Sequence, residues 1–103
     1  MAENYNAIRL NENDNVAVAL KTIRTGEVVI IKDLDKKIEV KQDILYGHKV
    51  AIKDITNGDQ ILKYGECMGI ATENIPIGYH VHVHNVRGLN EEERAQIIAR
   101  FVR

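Results

Sequence analysis

The chain has no serine and no tryptophan, and only one phenylalanine, one cysteine and one proline among its 103 residues. Without serine, every serine-nucleophile mechanism is excluded. A single cysteine, Cys67, excludes an internal disulfide framework. No basic residue flanks it in Glu66-Cys67-Met68-Gly69 to lower its pKa, so it reads as a small buried hydrophobe rather than a nucleophile. Phe101 and the tyrosines Tyr5, Tyr46, Tyr64 and Tyr79 are the whole aromatic complement, so the core must be built from Val, Ile, Leu and Ala. No apolar run approaches the roughly 18–20 residues of a membrane span. Met1-Ala2-Glu3-Asn4 lacks the basic region and apolar run of a secretion signal. No membrane partner is expected, and a cytoplasmic location is the default. The formal charge of −1, with 14 basic residues that form no run, gives no electrostatic case for nucleic acid.

The length fits one domain. Turn signals recur at Asn11–Asn15, Thr25-Gly26-Glu27, Tyr46-Gly47-His48, Asn57-Gly58-Asp59, Tyr64-Gly65-Glu66 and Ile77-Gly78-Tyr79. Between them lie short runs rich in β-branched residues: Val16–Leu20, Val28–Ile31, Lys37–Lys41, Lys49–Lys53, Gln60–Lys63 and Tyr79–Val86. Many short strands at this spacing predict a compact, hairpin-rich all-β domain. Asn57-Gly58 is the strongest hairpin-turn signal, because both residues tolerate positive φ. No internal repeat is evident. Asn90 followed by Glu91-Glu92-Glu93 reads as an N-cap and an acidic first turn. Ala95, Ile98 and Phe101 or Val102 then recur at helical spacing, with Arg94, Arg100 and Arg103 toward the end, predicting a terminal helix whose apolar stripe covers the β-domain or meets a partner.

Three of the four histidines lie in His80-Val81-His82-Val83-His84-Asn85. On a regular strand the three imidazoles share one face and the valines the other. Residues i and i+2 lie about 7 Å apart at Cα and i and i+4 about 13 Å apart, so two neighbouring imidazoles can lean onto one metal more easily than three. The easier site takes two of them plus a residue from elsewhere, and His48 is the other histidine. A solvent-facing polar strand or an interface explains the pattern as well. Gly47-His48-Lys49 projects a histidine at a strand end, or is an ordinary turn. Lys63-Tyr64-Gly65 offers a point charge for a carboxylate and a phenol that can donate or relay a proton, or is a charged strand end before a turn. Asn85 turns the chain, or binds a substrate hydroxyl if the strand ends there.

Taken in order, Gly47-His48-Lys49-Val50-Ala51, Asp54-Ile55, Gly58-Asp59, Lys63-Tyr64-Gly65-Glu66, Gly69-Ile70-Ala71 and Gly78-Tyr79-His80-Val81-His82-Val83-His84-Asn85 resemble the amino-terminal domain of the altronate and galactarate dehydratases. The small subunit of sulfolactate sulfo-lyase is similar. The domain type is called SAF, after sialic acid synthase, antifreeze protein and flagellar P-ring chaperone. The resemblance covers about residues 5 to 87. It implies a β-clip fold, a small barrel-like arrangement of short bent strands, for residues 1–89. Residues 90–103 are then the terminal helix or the start of a linker to a catalytic domain.

The resemblance further implies lyase chemistry on hydroxylated carboxylic acids, shared with a much larger catalytic domain or subunit, so that the isolated chain is inactive. Family members are similar in needing a divalent metal such as Fe²⁺ or Mn²⁺. Carried onto this sequence, the resemblance implies His82 and His84 as metal ligands, His48 as an acid/base or third ligand, and Lys63, Tyr64 and Asn85 as substrate-binding residues. A sugar acid, giving a 2-keto-3-deoxy acid, is the expected substrate, and a homo-oligomer stays open. Two competing readings are a non-catalytic module that binds a sugar acid and a structural assembly domain.

Overall fold

The computed structural model describes residues 5–32, 34 and 36–101. Met1–Asn4, the Phe101 side chain, Val102 and Arg103, on which part of the leader and helix readings rest, lie outside the described residues. Nine short strands and one helix follow in order: β1 (Ala7–Ile8), β2 (Val16–Ala19), β3 (Val28–Ile30), β4 (Lys37–Glu39), β5 (Lys49–Ala51), β6 (Gln60–Lys63), β7 (Glu66–Ala71), β8 (His80–Val81), β9 (Val86–Arg87) and α1 (Glu91–Phe101). They form three small sheets ordered β1-β2-β5-β8, β3-β4 and β6-β7-β9, with every named pairing antiparallel. The all-β class with a short C-terminal helix is as expected.

The four-stranded sheet is apolar on both faces, because alternate residues of a strand point opposite ways. Ala17 and Val50, paired across β2 and β5, join one cluster with Ile23, Val29, Ile31, Val40 and Ile44. Val16 and Ala51, the next pair, join a second with Ile55, Ile61, Ile75 and Val81. Small alanines within the sheet let the two aliphatic clusters close on it without aromatic filling.

A repeat that composition and runs of residues did not reveal organises the loops. Ile-x-x-Gly occurs at 23–26, 44–47, 55–58 and 75–78. Each glycine has positive φ (91°, 83°, 96° and 92°), and the residue after it donates its N–H to the carbonyl three residues earlier, as in type II turns. The isoleucines bridge in pairs, Ile23 with Ile44 and Ile55 with Ile75. The residue before each isoleucine caps the partner loop: Asp43 accepts from Thr25 N–H and Thr22 Oγ1 from Tyr46 N–H, while Asn74 accepts from Asn57 N–H and Asp54 from Ile77 N–H. Two reciprocal clasps result. Asn57-Gly58 belongs to one of them and joins β5 to β6, which do not pair with each other, so it is no hairpin turn. The tight hairpin is β6–β7, turning at Tyr64-Gly65 with both φ positive (56° and 80°), the type I′ geometry.

Helix α1 is capped as expected. Asn90 Oδ1 accepts from Glu93 N–H and Glu93 Oε1 accepts from Asn90 N–H, and Arg87 on β9 grips the Glu93 carboxylate at 2.9 and 2.8 Å. The described part of the expected stripe, Ala95 and Ile98, faces away from the β-domain. Ala95 is exposed and Ile98 is 55% exposed, while Glu93 and Ile97 are half-buried, because the Arg87–Glu93 pair sets the helix rotation. Cys67 is likewise only half-buried, its thiol donating to Gly69 O at 3.4 Å, because it lines an open cavity beside the helix.

Candidate metal centre

The histidine segment is not one strand. β8 ends at Val81, and residues 82–85 turn into β9. Asn85 makes the turn: it is buried, its Oδ1 accepts from His82 N–H at 2.9 Å, and its Nδ2 donates to His80 O at 2.8 Å. Of its two expected roles, turning the chain is the one its side chain performs, and both polar atoms are engaged in doing so. A regular strand carrying His80, His82 and His84 on one face is therefore replaced by a bend that separates His84 from His82.

Strand register supplies the third imidazole. β5 pairs β8 with Val50 opposite His80 and Lys49 opposite Val81, so the next position sets His48 against His82. His48 projects there because it follows Gly47 in its clasp turn. The His48 and His82 rings stack with centroids 4.1 Å apart and planes within 11°. His48 Nδ1 lies 2.9 Å from His80 Nε2. One nitrogen from each of His48, His80 and His82 can be chosen so that all three lie within 4.8 Å of one another. His84 is outside this group, exposed, its ring 5.3 Å from that of His80. The structure thus brings together His48 and His82 of the expected residues, adds His80, and leaves His84 at the rim.

The electrostatics disfavour the charged forms of His80 and His82. Burial, then the charges of His48, His84, His82 and Lys49, push the His80 pKa down to about 4. Burial and the same kind of neighbours lower that of His82. His82 Nδ1 is buried with no hydrogen-bond partner among the described residues. Three converging imidazoles, one of them with an orphaned ring nitrogen, make a donor set that fits a divalent transition metal.

Lys63 and Tyr64 lie at the β6–β7 hairpin, outside the histidine group, with the Lys63 ammonium 5.2 Å from the Tyr64 ring centroid. That turn is held by Asp14, a buried carboxylate accepting from Tyr64 and Gly65 N–H at 2.8 Å each. Sequence reading missed Lys49, whose ammonium is half-buried and held below its ordinary pKa by burial and by the Lys63 charge. Its position directly after His48 was the available signal.

Residues 5–89 match the family described as the altronate/galactarate dehydratase SAF domain. The chain is 44% identical over 80 residues to the altronate dehydratase of Bacillus subtilis (strain 168), an alignment covering 78% of this chain and 16% of that protein. Against the altronate dehydratase of Escherichia coli (strain K12), identity is 40% over 80 residues, with the same coverage of 78% and 16%. It is 35% identical over 74 residues to the (2R)-sulfolactate sulfo-lyase subunit alpha of Chromohalobacter salexigens, covering 68% of this chain and 79% of that subunit. The chain therefore spans about a sixth of the dehydratases and most of the sulfo-lyase subunit. The histidine-bearing loops and the strands that bring them together all fall within the matched residues, and the chain belongs to the altronate/galactarate dehydratase SAF-domain family.

Proposed function

We propose that this chain is the small subunit or amino-terminal domain of a metal-dependent hydro-lyase acting on a sugar acid such as altronate or galactarate, and that it brings a metal to an active site shared with a large catalytic domain. The observation that carries this reading is the meeting of His48, His80 and His82, with His82 Nδ1 left without a partner, in a chain related to dehydratases. The three imidazoles hold the metal. An all-imidazole set suits Fe²⁺ better than Mn²⁺, which prefers oxygen ligands. Bound there, the metal supplies Lewis-acid stabilisation of charge on the substrate carboxylate when the neighbouring C–H is deprotonated.

The remaining work belongs to the chain's own groups and to the catalytic domain. Asn85 fixes the His82 backbone and so the direction of its ring. His84, exposed beside His80, is placed to hand a proton to the departing hydroxyl. Loss of water then leaves an enol that becomes a 2-keto-3-deoxy acid. A cytoplasmic setting, expected from the lone cysteine, belongs with this reading.

A second reading is favoured by one observation: the chain covers 79% of a sulfo-lyase alpha subunit but 16% of the dehydratases. On that reading sulfite leaves in place of hydroxide from an otherwise similar acid. The test is titration of the chain with Fe²⁺ under anaerobic conditions and with Mn²⁺. One metal per chain is expected, abolished in His82→Ala and His48→Ala variants that keep the native circular dichroism. Absence of stoichiometric binding, or unchanged binding by folded His82→Ala, overturns the metal site.

A further inference from the structure

Next to the histidine cluster lies a cationic position that no acid neutralises among the described residues. Lys49 is half-buried at the start of β5, and Lys63 stands close enough for its charge to reach it. The ion pairs among the described residues are Arg24–Asp43, Lys41–Glu39 and Arg87–Glu93, and none includes Lys49 or Lys63. Lys49 opens on a cavity of about 220 Å³ lined also by Met68, His82, Val83, Val86 and Arg87. The Arg87 guanidinium is closed in its two-pronged pair with Glu93, which leaves Lys49 as the cation of that cavity with no ion-pair partner among the described residues. Met68 reaches the cavity because the β6–β7 register shifts between Ile61 and Leu62, leaving Met68 as the extra residue of a bulge.

An ammonium drawn partly out of water, with no acid paired to it among the described residues, is stabilised by an anion that enters beside it. His82 lines the same cavity, so an anion held at Lys49 lies against the histidine cluster. Met68, Val83 and Val86 form an apolar wall that narrows the space to the acid end of a ligand.

We propose that Lys49, backed by Lys63, is the receptor for the carboxylate of a 2-hydroxy acid, seating that carboxylate in the cavity and its hydroxyl-bearing carbon toward His82. The inference rests on the reading of the histidine cluster as the reacting centre. A lysine suits the task because its point charge accepts a carboxylate that turns to share an oxygen with a second cation.

The test uses the chain itself, with glycerate as the probe and glycerol as the neutral control. Amide resonances of residues 49, 82, 83 and 86–88 and the Lys49 Nζ resonance are followed, and Mn²⁺ affinity is measured on the same samples. Glycerate shifts these resonances and glycerol does not. Lys49→Gln weakens glycerate binding at least tenfold without weakening Mn²⁺ binding, and Lys49→Arg restores part of it. Equal glycerate shifts in wild type and Lys49→Gln, or none in wild type, overturn the carboxylate site while leaving the metal reading intact if Mn²⁺ still binds. Lys49-dependent glycerate binding in a chain that takes up neither Fe²⁺ nor Mn²⁺ supports the carboxylate site and removes the metal reading.

Discussion

His48 Nδ1 and His80 Nε2 face each other at 2.9 Å, from residues 32 apart in sequence. A contact this short between ring nitrogens holds one proton: one imidazole donates and the other accepts. Two imidazolium rings cannot keep it, since both would present N–H. The contact therefore ties the geometry of the cluster to its protonation.

Acid destabilises the metal-free chain through this pair. His80 titrates near 4 in the folded chain and near 6.5 when unfolded. Between those values the unfolded state binds more protons, so stability falls as pH drops from about 6.5 to about 4. Solvent screening at a partly exposed ring limits the effect to about 1 kcal/mol. Urea midpoints across this range should decline in wild type and decline less in His80→Asn. Identical slopes would show that His80 does not carry the effect.

Asn85→Ala removes both side-chain bonds that shape the 82–85 turn and leaves His82 N–H and His80 O short of partners in a buried place. A loss of about 1–3 kcal/mol is expected in chemical unfolding. Metal affinity should fall with it, since the His82 ring loses its fixed direction. Asn85→Asp keeps an acceptor for His82 but no donor for His80, and is expected to lie between.

The clasp turns predict unequal costs at equivalent glycines. Gly47→Ala meets only the conformational penalty of a positive φ, about 1 kcal/mol, because nothing lies within 4 Å of the added carbon. Gly78→Ala meets the same penalty and in addition sets its Cβ 2.5 Å from Glu39 O, so it should lower the thermal midpoint clearly more. Equal midpoints for the two variants would contradict the packing of that turn against β4.

The joint between β9 and the helix should resist acid. Arg87 and Asn90 hold the Glu93 carboxyl down at about 2, well below its ordinary 4.5. Its stabilising contribution is complete above pH 4.5 and is lost only as pH falls through about 2. Helical ellipticity should persist at pH 3.5 in wild type and be lower in Glu93→Gln, which cannot form the ion pair, at every pH above about 2.

What could be read without coordinates was local in origin. Alternation, turn residues and the Asn90–Glu93 spacing depend on neighbours along the chain, and they marked the β-rich domain, most of its strands and the helix start. The short strand Ala7–Ile8 and the longer Glu66–Ala71 escaped because one has two residues and the other carries a bulge and a glycine rather than clean alternation. The four Ile-x-x-Gly loops were present in the letters, but their meaning lies in pairwise capping across 17–24 residues.

The sequence by itself concentrated the ligating chemistry: it placed His80, His82 and His84 together and named His48 as the remaining candidate. The tertiary structure decided which three meet. The β5–β8 register brings His48 opposite His82, and the Asn85 turn carries His84 away. The register is set by hydrogen bonds between distant segments, which no spacing within one segment encodes, whereas the turn is local and rests on the Asn85 side chain folding back on His82 and His80. Lys49 follows the same rule. Its identity is plain in the chain, but its half-burial beside Lys63 and His82 exists only once β5, β6 and the histidine turn are packed together.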